Sequence, residues 1–428
     1  MIDRFVNFFS SLRLTIVCLC FALVLVFAGT LAQVRLGLYV VQAEFFRSFF
    51  LYWTPSGRHF KIPYFPGGWS VGLVLMVNLL CAHIKRFHFR RNKIGLLLIH
   101  AGLIVLMAGF FLTEIFQIES QMRIETGEPK SYAEDSRRNE LVVLDVTNPD
   151  HDDVVAIPQS MLERGGDIRS PSLPFVLRVK NYFPNSLPAG PMSGDGEKIK
   201  SGNGIGQRLF FSAAPLAGRT DDENKPAALL EVVGPKQSIG TWTVSTWLTK
   251  RPWSSGLQEQ FGQLLGVPIE GTQGFTYAGH SYEIALRPVR YYKPYTITLL
   301  EFKHDVYAGT DIPSNFSSKI HLNDPAHGED RDVLIRMNSP LRYGGESYYQ
   351  ASFEPGDKVS ILEVVHNPAA ITPYVACALI AVGLVVQFVT HLLGFARKRA
   401  RQSSSVSTPA KDREPLLKPV LTAERSGA

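Results

Sequence analysis

His100 is the residue whose type and place could do chemistry. It lies in Ile94-Gly-Leu-Leu-Leu-Ile-His100-Ala-Gly-Leu-Ile-Val-Leu-Met-Ala-Gly-Phe-Phe-Leu112, nineteen residues without a formal charge. A helix of that length crosses a hydrocarbon core of roughly 30 Å. His100 would sit about 9 Å from the near end at 1.5 Å per residue, where an imidazole demands a polar or metal partner. Two chemistries are open: a hydrogen bond to another helix, or coordination of a metal. Ala101-Gly102 and Ala108-Gly109 repeat one heptad apart, small enough for another helix or a flat ligand to approach the backbone.

If the metal is haem iron, a two-histidine site within this chain would need His83 or His391. Both lie near the ends of their apolar runs, about one and a half helical turns shallower than His100. The mismatch points to a second ligand from another protein. The remaining histidines, His151, His280, His304, His321, His327 and His366, are scattered; the closeness of His321 and His327 is a weak metal signal. No Gly-rich phosphate loop, Gly-x-Ser-x-Gly elbow, His-Glu-x-x-His or Cys-x-x-Cys occurs. The four cysteines, Cys18, Cys20, Cys81 and Cys377, all fall in apolar runs. The long central stretch thus has no disulfide framework and cannot itself exchange thiols.

Four apolar runs must position this chemistry: residues 14–32, 69–84 and 94–112, and a fourth that starts with Asn367-Pro368, a helix N-cap and first-turn pair, and ends at Phe395. The first is longer than a signal-peptide core, and Thr30-Leu31-Ala32 is a poor cleavage signature, so it reads as an uncleaved anchor. Lys85 to Lys93 carries five basic residues and no acidic one, and Arg397-Lys398-Arg399-Ala-Arg401 follows the last run. With both clusters cytoplasmic, both termini lie inside and residues 114–366 lie outside. The net charge of +6 sits largely beside the spans, so membrane lipid and no nucleic acid is expected.

The layout is therefore an integral membrane protein with four transmembrane helices, three N-terminal and one C-terminal, around a large inserted extracytoplasmic domain. Residues 1–113 form the N-terminal membrane domain, 114–366 the β-rich domain, 367–395 the fourth helix and 396–428 a basic tail, disordered beyond Arg401. Ile2 to Leu12 is either an interfacial lead-in or an extension of the first span. Leu38 to Trp53 reads as an interfacial aromatic helix, with stacking on a porphyrin as a second reading. Glu114 to Arg138 is polar enough for a stalk or loop. Alternating runs at 141–146, 175–179, 229–233, 242–247, 295–299, 333–337, 348–353 and 359–365 predict a mostly antiparallel β domain, sandwich or barrel. Asn185 to Gln207 reads as a long mobile loop or a subdomain boundary, and Leu257, Phe261, Leu264 and Leu265 as one short helix.

Several fragments carry a family likeness. They are Ser10-Ser11-Leu12-Arg13-Leu14, Gly29-Thr30-Leu31-Ala32-Gln33, Ile99-His100-Ala101-Gly102, Met337-Asn338-Ser339-Pro340-Leu341-Arg342-Tyr343-Gly344-Gly345 and Tyr348-Tyr349-Gln350-Ala351-Ser352-Phe353. Their order within a three-plus-one span topology resembles the ResB (CcsB) family of System II cytochrome c biogenesis proteins. The likeness runs from about Ser10 to His391; residues 150–240 lie outside the pattern.

The resemblance implies a subunit of a cytochrome c synthetase (haem lyase) complex that brings haem b across the membrane and presents it for attachment to apocytochrome c. A CcsA (ResC) partner would carry the tryptophan-rich haem motif, since Trp53, Trp69, Trp242, Trp247 and Trp253 are dispersed here. The family's transmembrane histidine corresponds to His100, a haem axial ligand shared with that partner. Thioether formation rests on positioning and redox control, so no catalytic residue is expected in this chain. The setting implied is a bacterial inner membrane, because no transit-like segment opens the sequence. The alternative is a membrane-anchored scaffold or binding protein without a haem role. A transporter would need more polar span residues than Asn78 and Gln387.

Overall fold

The computed structural model describes residues 2–53, 60–86, 93–189, 197–216, 224–249, 271–307, 309, 313–354, 356 and 358–406. In chain order these form α1 (Ile2–Phe9), α2 (Leu12–Leu36), α3 (Leu38–Val41), a hairpin of β1 (Phe50–Trp53) and β2 (Ile62–Pro66), α4 (Gly68–Arg86) and α5 (Ile94–Phe116). Next come β3 (Ile118–Glu125), β4 (Pro129–Asp145), β5 (Asp153–Pro158), α6 (Gln159–Arg164), β6 (Gly166–Ile168) and β7 (Val176–Phe183). The strands β8 (Ser186–Ala189), β9 (Lys198–Ile199), β10 (Phe210–Ala213), β11 (Ala227–Val233), β12 (Ser238–Ser245) and β13 (Gln273–Tyr277) follow. The remainder is β14 (His280–Val306), β15 (Pro313–Asp324), β16 (Glu329–Arg336), β17 (Leu341–Tyr343), β18 (Glu346–Phe353), β19 (Val359–His366) and α7 (Thr372–Val406). Among the described residues four helices, α2, α4, α5 and α7, are long and apolar enough to cross a membrane. They flank the mainly-β region three to one, as expected.

The chain divides into two compact units. One is helical and comprises Met1–Thr15, Leu75–Gly109 and Ile371–Ala428. Here α1 is separate from α2, and Asn78 on α4 explains the break. Its amide donates to the carbonyls of Phe9 and Ser11 while its Oδ1 accepts from Thr15 Oγ1 at 2.7 Å. Asn78 is only 2% exposed, so each bond exchanged for an apolar contact would cost about 1 kcal/mol or more. The Ser10-Ser11 motif is thus the place where the backbone leaves one helix and starts another.

The second unit, Ile16–Val74 with Phe110–Ala370, holds the β domain. A ten-stranded sheet has the order β16-β15-β14-β4-β3-β19-β18-β17, with β13 pairing β14 and β5 pairing β4. All pairs between named strands are antiparallel. The choice left open by the sequence resolves into both forms. Residues of the first half of β14 (Tyr282, Ile284, Leu286) and of β4 pack on the four-stranded sheet β12-β11-β7-β6, giving a sandwich core. The second half of β14 (Tyr295, Ile297, Leu299, Phe302) packs on Met122, Ile320, Ile335, Tyr348 and Leu362 of the same ten-stranded sheet, which therefore curls around its own core. Register shifts between Pro288 and Ile297 let one strand serve both cores.

Several expectations change. Glu114 to Arg138 is no stalk: α5 runs to Phe116, and β3 and most of β4 follow. Its polar composition misled because the charges pair across strands, Arg123 bidentately to Glu354 at 2.7 and 2.8 Å and Glu134 to Arg290 at 3.1 Å, while Met122 and Ile124 point inward and are fully buried. Leu38 to Trp53 is not one helix: α3 passes into a π turn and then into β1, paired with β2. The supposed loop 185–207 contains β8 and β9, which flank β10 over the buried Ile199 and Phe211. The fourth helix continues past Phe395 to Val406, carrying the basic cluster of good helix formers with it. The short helix expected around Leu257 and the tail beyond Val406 lie outside the described residues.

Candidate functional site

His100 sits in the first half of α5, half-buried, and its Nδ1 lies 2.8 Å from the carbonyl oxygen of Leu96. A carbonyl only accepts, so Nδ1 carries the hydrogen and, in the neutral ring, the lone pair resides on Nε2. The bond is to the residue four back on the same helix and bridges nothing. It orients the ring and fixes its tautomer.

The small residues of α5 are used by α7. Gly95, Gly102 and Gly109 are buried at heptad spacing. A Cβ on Gly95 would stand 2.6 Å from the Gln387 nitrogen and 2.7 Å from the Gly383 oxygen. One on Gly102 would meet Ile380 and the Ala376 carbonyl, and one on Gly109 would meet Thr372. A helix therefore occupies the face that could have taken a flat ligand. His100 is two residues from Gly102, about 200° around the helix, and looks away from α7.

It looks instead toward α4, where the His83 ring centroid lies 6.4 Å from its own with the planes inclined at 38°. The depth argument that set His83 aside is corrected by this geometry. The end of the apolar run is not the end of the helix: α4 continues to Arg86. Side chains also lean toward the N-terminus of their own helix. On antiparallel α4 and α5 that lean brings the two imidazoles toward one level. His391 stays apart: α5 and α7 register Gly95 with Gln387 and Gly102 with Ile380, so it falls about 13 Å along the axis from His100.

Aromatic residues of the 38–53 stretch are engaged in packing. Phe46 closes on Gly29, and Trp69 stacks with Phe49 and Phe111 at 6.3 and 5.2 Å. In the β domain, a cleft of about 600 Å³ is lined by Arg123, Lys130, Arg287 and Arg290. The arginines are answered by Glu354, Glu140 and Glu134. Burial lowers the Lys130 pKa, and its ammonium lies 4.6 Å over the Tyr132 ring. Sequence reasoning weighed His83 and set it aside on depth, and it missed Asp324 altogether. The latter carboxylate gathers His327, Tyr343 and the Ala326 amide around itself.

Residues 274–361, from β13 into β19, match the model of the ResB-like family. They include the Leu341 to Gly345 and Tyr348 to Phe353 motifs and leave His100 outside. Protein NrfI of Wolinella succinogenes is 30% identical over 103 residues, which is 24% of this chain and 11% of that relative. The likeness therefore spans about a tenth of the relative's length. Residues 274–361 of this chain are thus similar to the ResB-like family, and four apolar helices flank the β domain three to one.

Proposed function

We propose that this chain is a membrane subunit of a System II cytochrome c biogenesis complex that holds haem as cargo and presents it for attachment to apocytochrome c. The observation that carries the reading is His100: an imidazole on a long apolar helix, its Nδ1 bonded to the Leu96 carbonyl and the His83 ring 6.4 Å away. His100 is the axial ligand, and the second position falls to a histidine of a CcsA/ResC-type partner or to His83. The α2, α4, α5 and α7 helices span a bacterial inner membrane with the basic clusters, and so both termini, on the cytoplasmic side. The β domain stands outside and shapes, with the partner, the space where haem meets the apoprotein.

Haem supplies the iron to be coordinated and the vinyl groups that become thioethers. The protein supplies position: a neutral imidazole of fixed tautomer, a helix pair locked by glycines so that the ring cannot drift, and a rigid β domain. No acid, base or nucleophile of this chain is needed.

The test is co-purification of the chain with its partner, read by absorption spectroscopy. Wild type is expected to carry a haem spectrum that His100→Ala reduces strongly. A spectrum unchanged by His100→Ala would instead favour the scaffold reading.

A further inference from the structure

The cleft of about 600 Å³ in the β domain is built on β3, β4 and β14. Period two puts Lys130, Tyr132 and Glu134 of β4 on the face opposite the buried Ala133, and β14 brings Arg290 beside Glu134. The volume falls within the roughly 300–1,000 Å³ of small-molecule sites.

Its basic side chains are matched with one exception. Arg123 holds Glu354 and Glu125, Arg287 holds Glu140, and Arg290 holds Glu134. The half-buried Lys130 has no ion pair among the described residues. Of its three ammonium donors one goes to the Arg123 carbonyl at 2.8 Å. The Tyr132 ring lies 4.6 Å from the nitrogen, and the Arg290 guanidinium carbon stands 4.3 Å from the same ring. Burial is the main cause that lowers the Lys130 pKa; Glu134 and Glu128 oppose it, while Arg290 and Arg123 push the same way. A half-buried cation without its own anion carries a cost that a bound anion would relieve.

The same cleft restricts which anion fits. Glu125, Glu134 and the exposed Glu128 also line it. A phosphate dianion would face three carboxylates with a single unmatched cation to hold it, whereas a monoanion is neutralised by that one cation. Val142, Leu144 and Ala285 supply an apolar part of the wall.

We propose that this cleft binds a small monocarboxylic acid, with its carboxylate on Lys130 and its apolar body against Val142, Leu144 and Ala285. The site uses none of the residues of the haem reading and goes beyond it, so either can fail alone.

The test follows reductive methylation of Lys130 by formaldehyde and dimethylamine borane at pH 8, in the full chain in an uncharged detergent, by peptide mass spectrometry. Sodium butyrate is the probe. Butyramide, inorganic phosphate and sodium chloride at matched ionic strength are the controls, and Lys303, with a side chain 65% exposed, is the reference lysine. At ten times its half-protecting concentration butyrate is expected to slow Lys130 about tenfold and to leave Lys303 unchanged. Butyramide should give no protection, and phosphate should need a higher concentration than butyrate. Glu128→Gln removes a competing carboxylate and should lower the half-protecting concentration of butyrate. Butyrate should also raise the thermal midpoint of wild type and leave that of Lys130→Met in place. Protection by butyrate no better than by butyramide or sodium chloride, protection by phosphate at a lower concentration, or weaker protection in Glu128→Gln overturns the inference.

Discussion

The imidazoles of His83 and His100 lie side by side on α4 and α5, their centroids 6.4 Å apart. On the proposed haem reading, a histidine that close either ligates the same iron or supports the residue that does. His83→Ala is expected to lower haem retention by the purified chain about 10- to 100-fold, the range for losing a ligand's supporting partner. Retention equal to wild type would leave the second ligand to the partner protein alone. His391→Ala serves as the control and is expected to change nothing.

Gly95 and Gly383 bring α5 and α7 backbone to backbone, the Gly95 carbonyl lying 2.8 Å from where a Cβ on Gly383 would be. Atoms of the main chain cannot step aside, so Gly95→Ala must push the helices apart. A loss of about 1–3 kcal/mol is expected, measured as a lower thermal midpoint in detergent. Gly394 on α7 has no neighbour within 4 Å of an added Cβ. Gly394→Ala is expected to gain up to about 1 kcal/mol from helix propensity.

Lys293 and Glu346 form an ion pair with side chains 8% and 12% exposed. Glu346 also accepts from the buried Tyr348 at 2.9 Å, and Tyr348 meets Tyr295 at 2.7 Å. Burial raises the hydroxyl of Tyr348 far above its ordinary range and pushes that of Tyr295 up to about 12, so both stay protonated donors. Glu346→Ala would strand the Lys293 ammonium, and a loss of about 3–5 kcal/mol is expected in urea unfolding. Adding Lys293→Met should recover most of it.

The pH dependence follows from carboxylates shifted in opposite directions. Asp324 is held below its ordinary value chiefly by the Tyr343 hydroxyl and then by His327. At Asp135 burial pushes upward, but the Arg138 and Arg137 amides and the Tyr291 and Arg138 side chains outweigh it and the pKa falls. A lowered folded pKa gives stability that is complete above the unfolded carboxylate value of about 3.9 and is lost as pH falls through the folded one. The β domain should therefore weaken below about pH 4, and Asp135→Asn should flatten that limb in acid titrations followed by circular dichroism.

Glu363 runs the other way. Burial, and then Glu119, raise its pKa. Its folded state favours the proton, so its stabilising share is complete below the unfolded value and is lost as pH rises through the folded one. Glu363→Gln is expected to stabilise the β domain at pH 7 by a few tenths to about 1 kcal/mol, with the gain absent near pH 4. Paired unfolding curves at the two pH values decide it.

How far the chain could be read without coordinates depends on the range of the forces involved. The four apolar helices follow from local composition, because burying a backbone in hydrocarbon demands a long uncharged helix whatever surrounds it. Alternation in Val359 to Val365 or Phe175 to Val179 marks strands for the same reason: period two survives wherever one face is buried. The charged strand β3 and the first half of β4 were illegible, since Arg123 and Glu354 are 231 positions apart and neither reveals the other.

The sequence by itself determined that a histidine lies in an apolar helix, that small residues flank it at heptad spacing, and that no cysteine serves the β domain. Tertiary structure alone decided what those features do. Glycines become a seam only when α7 arrives, and His83 becomes a neighbour only through the antiparallel packing of α4 and α5. Asp324 acts on His327 because the turn after β15 folds the imidazole back onto a carboxylate already buried beneath Tyr343. Coordination and close packing need atoms within a few ångströms, and chain distance does not set which atoms those will be.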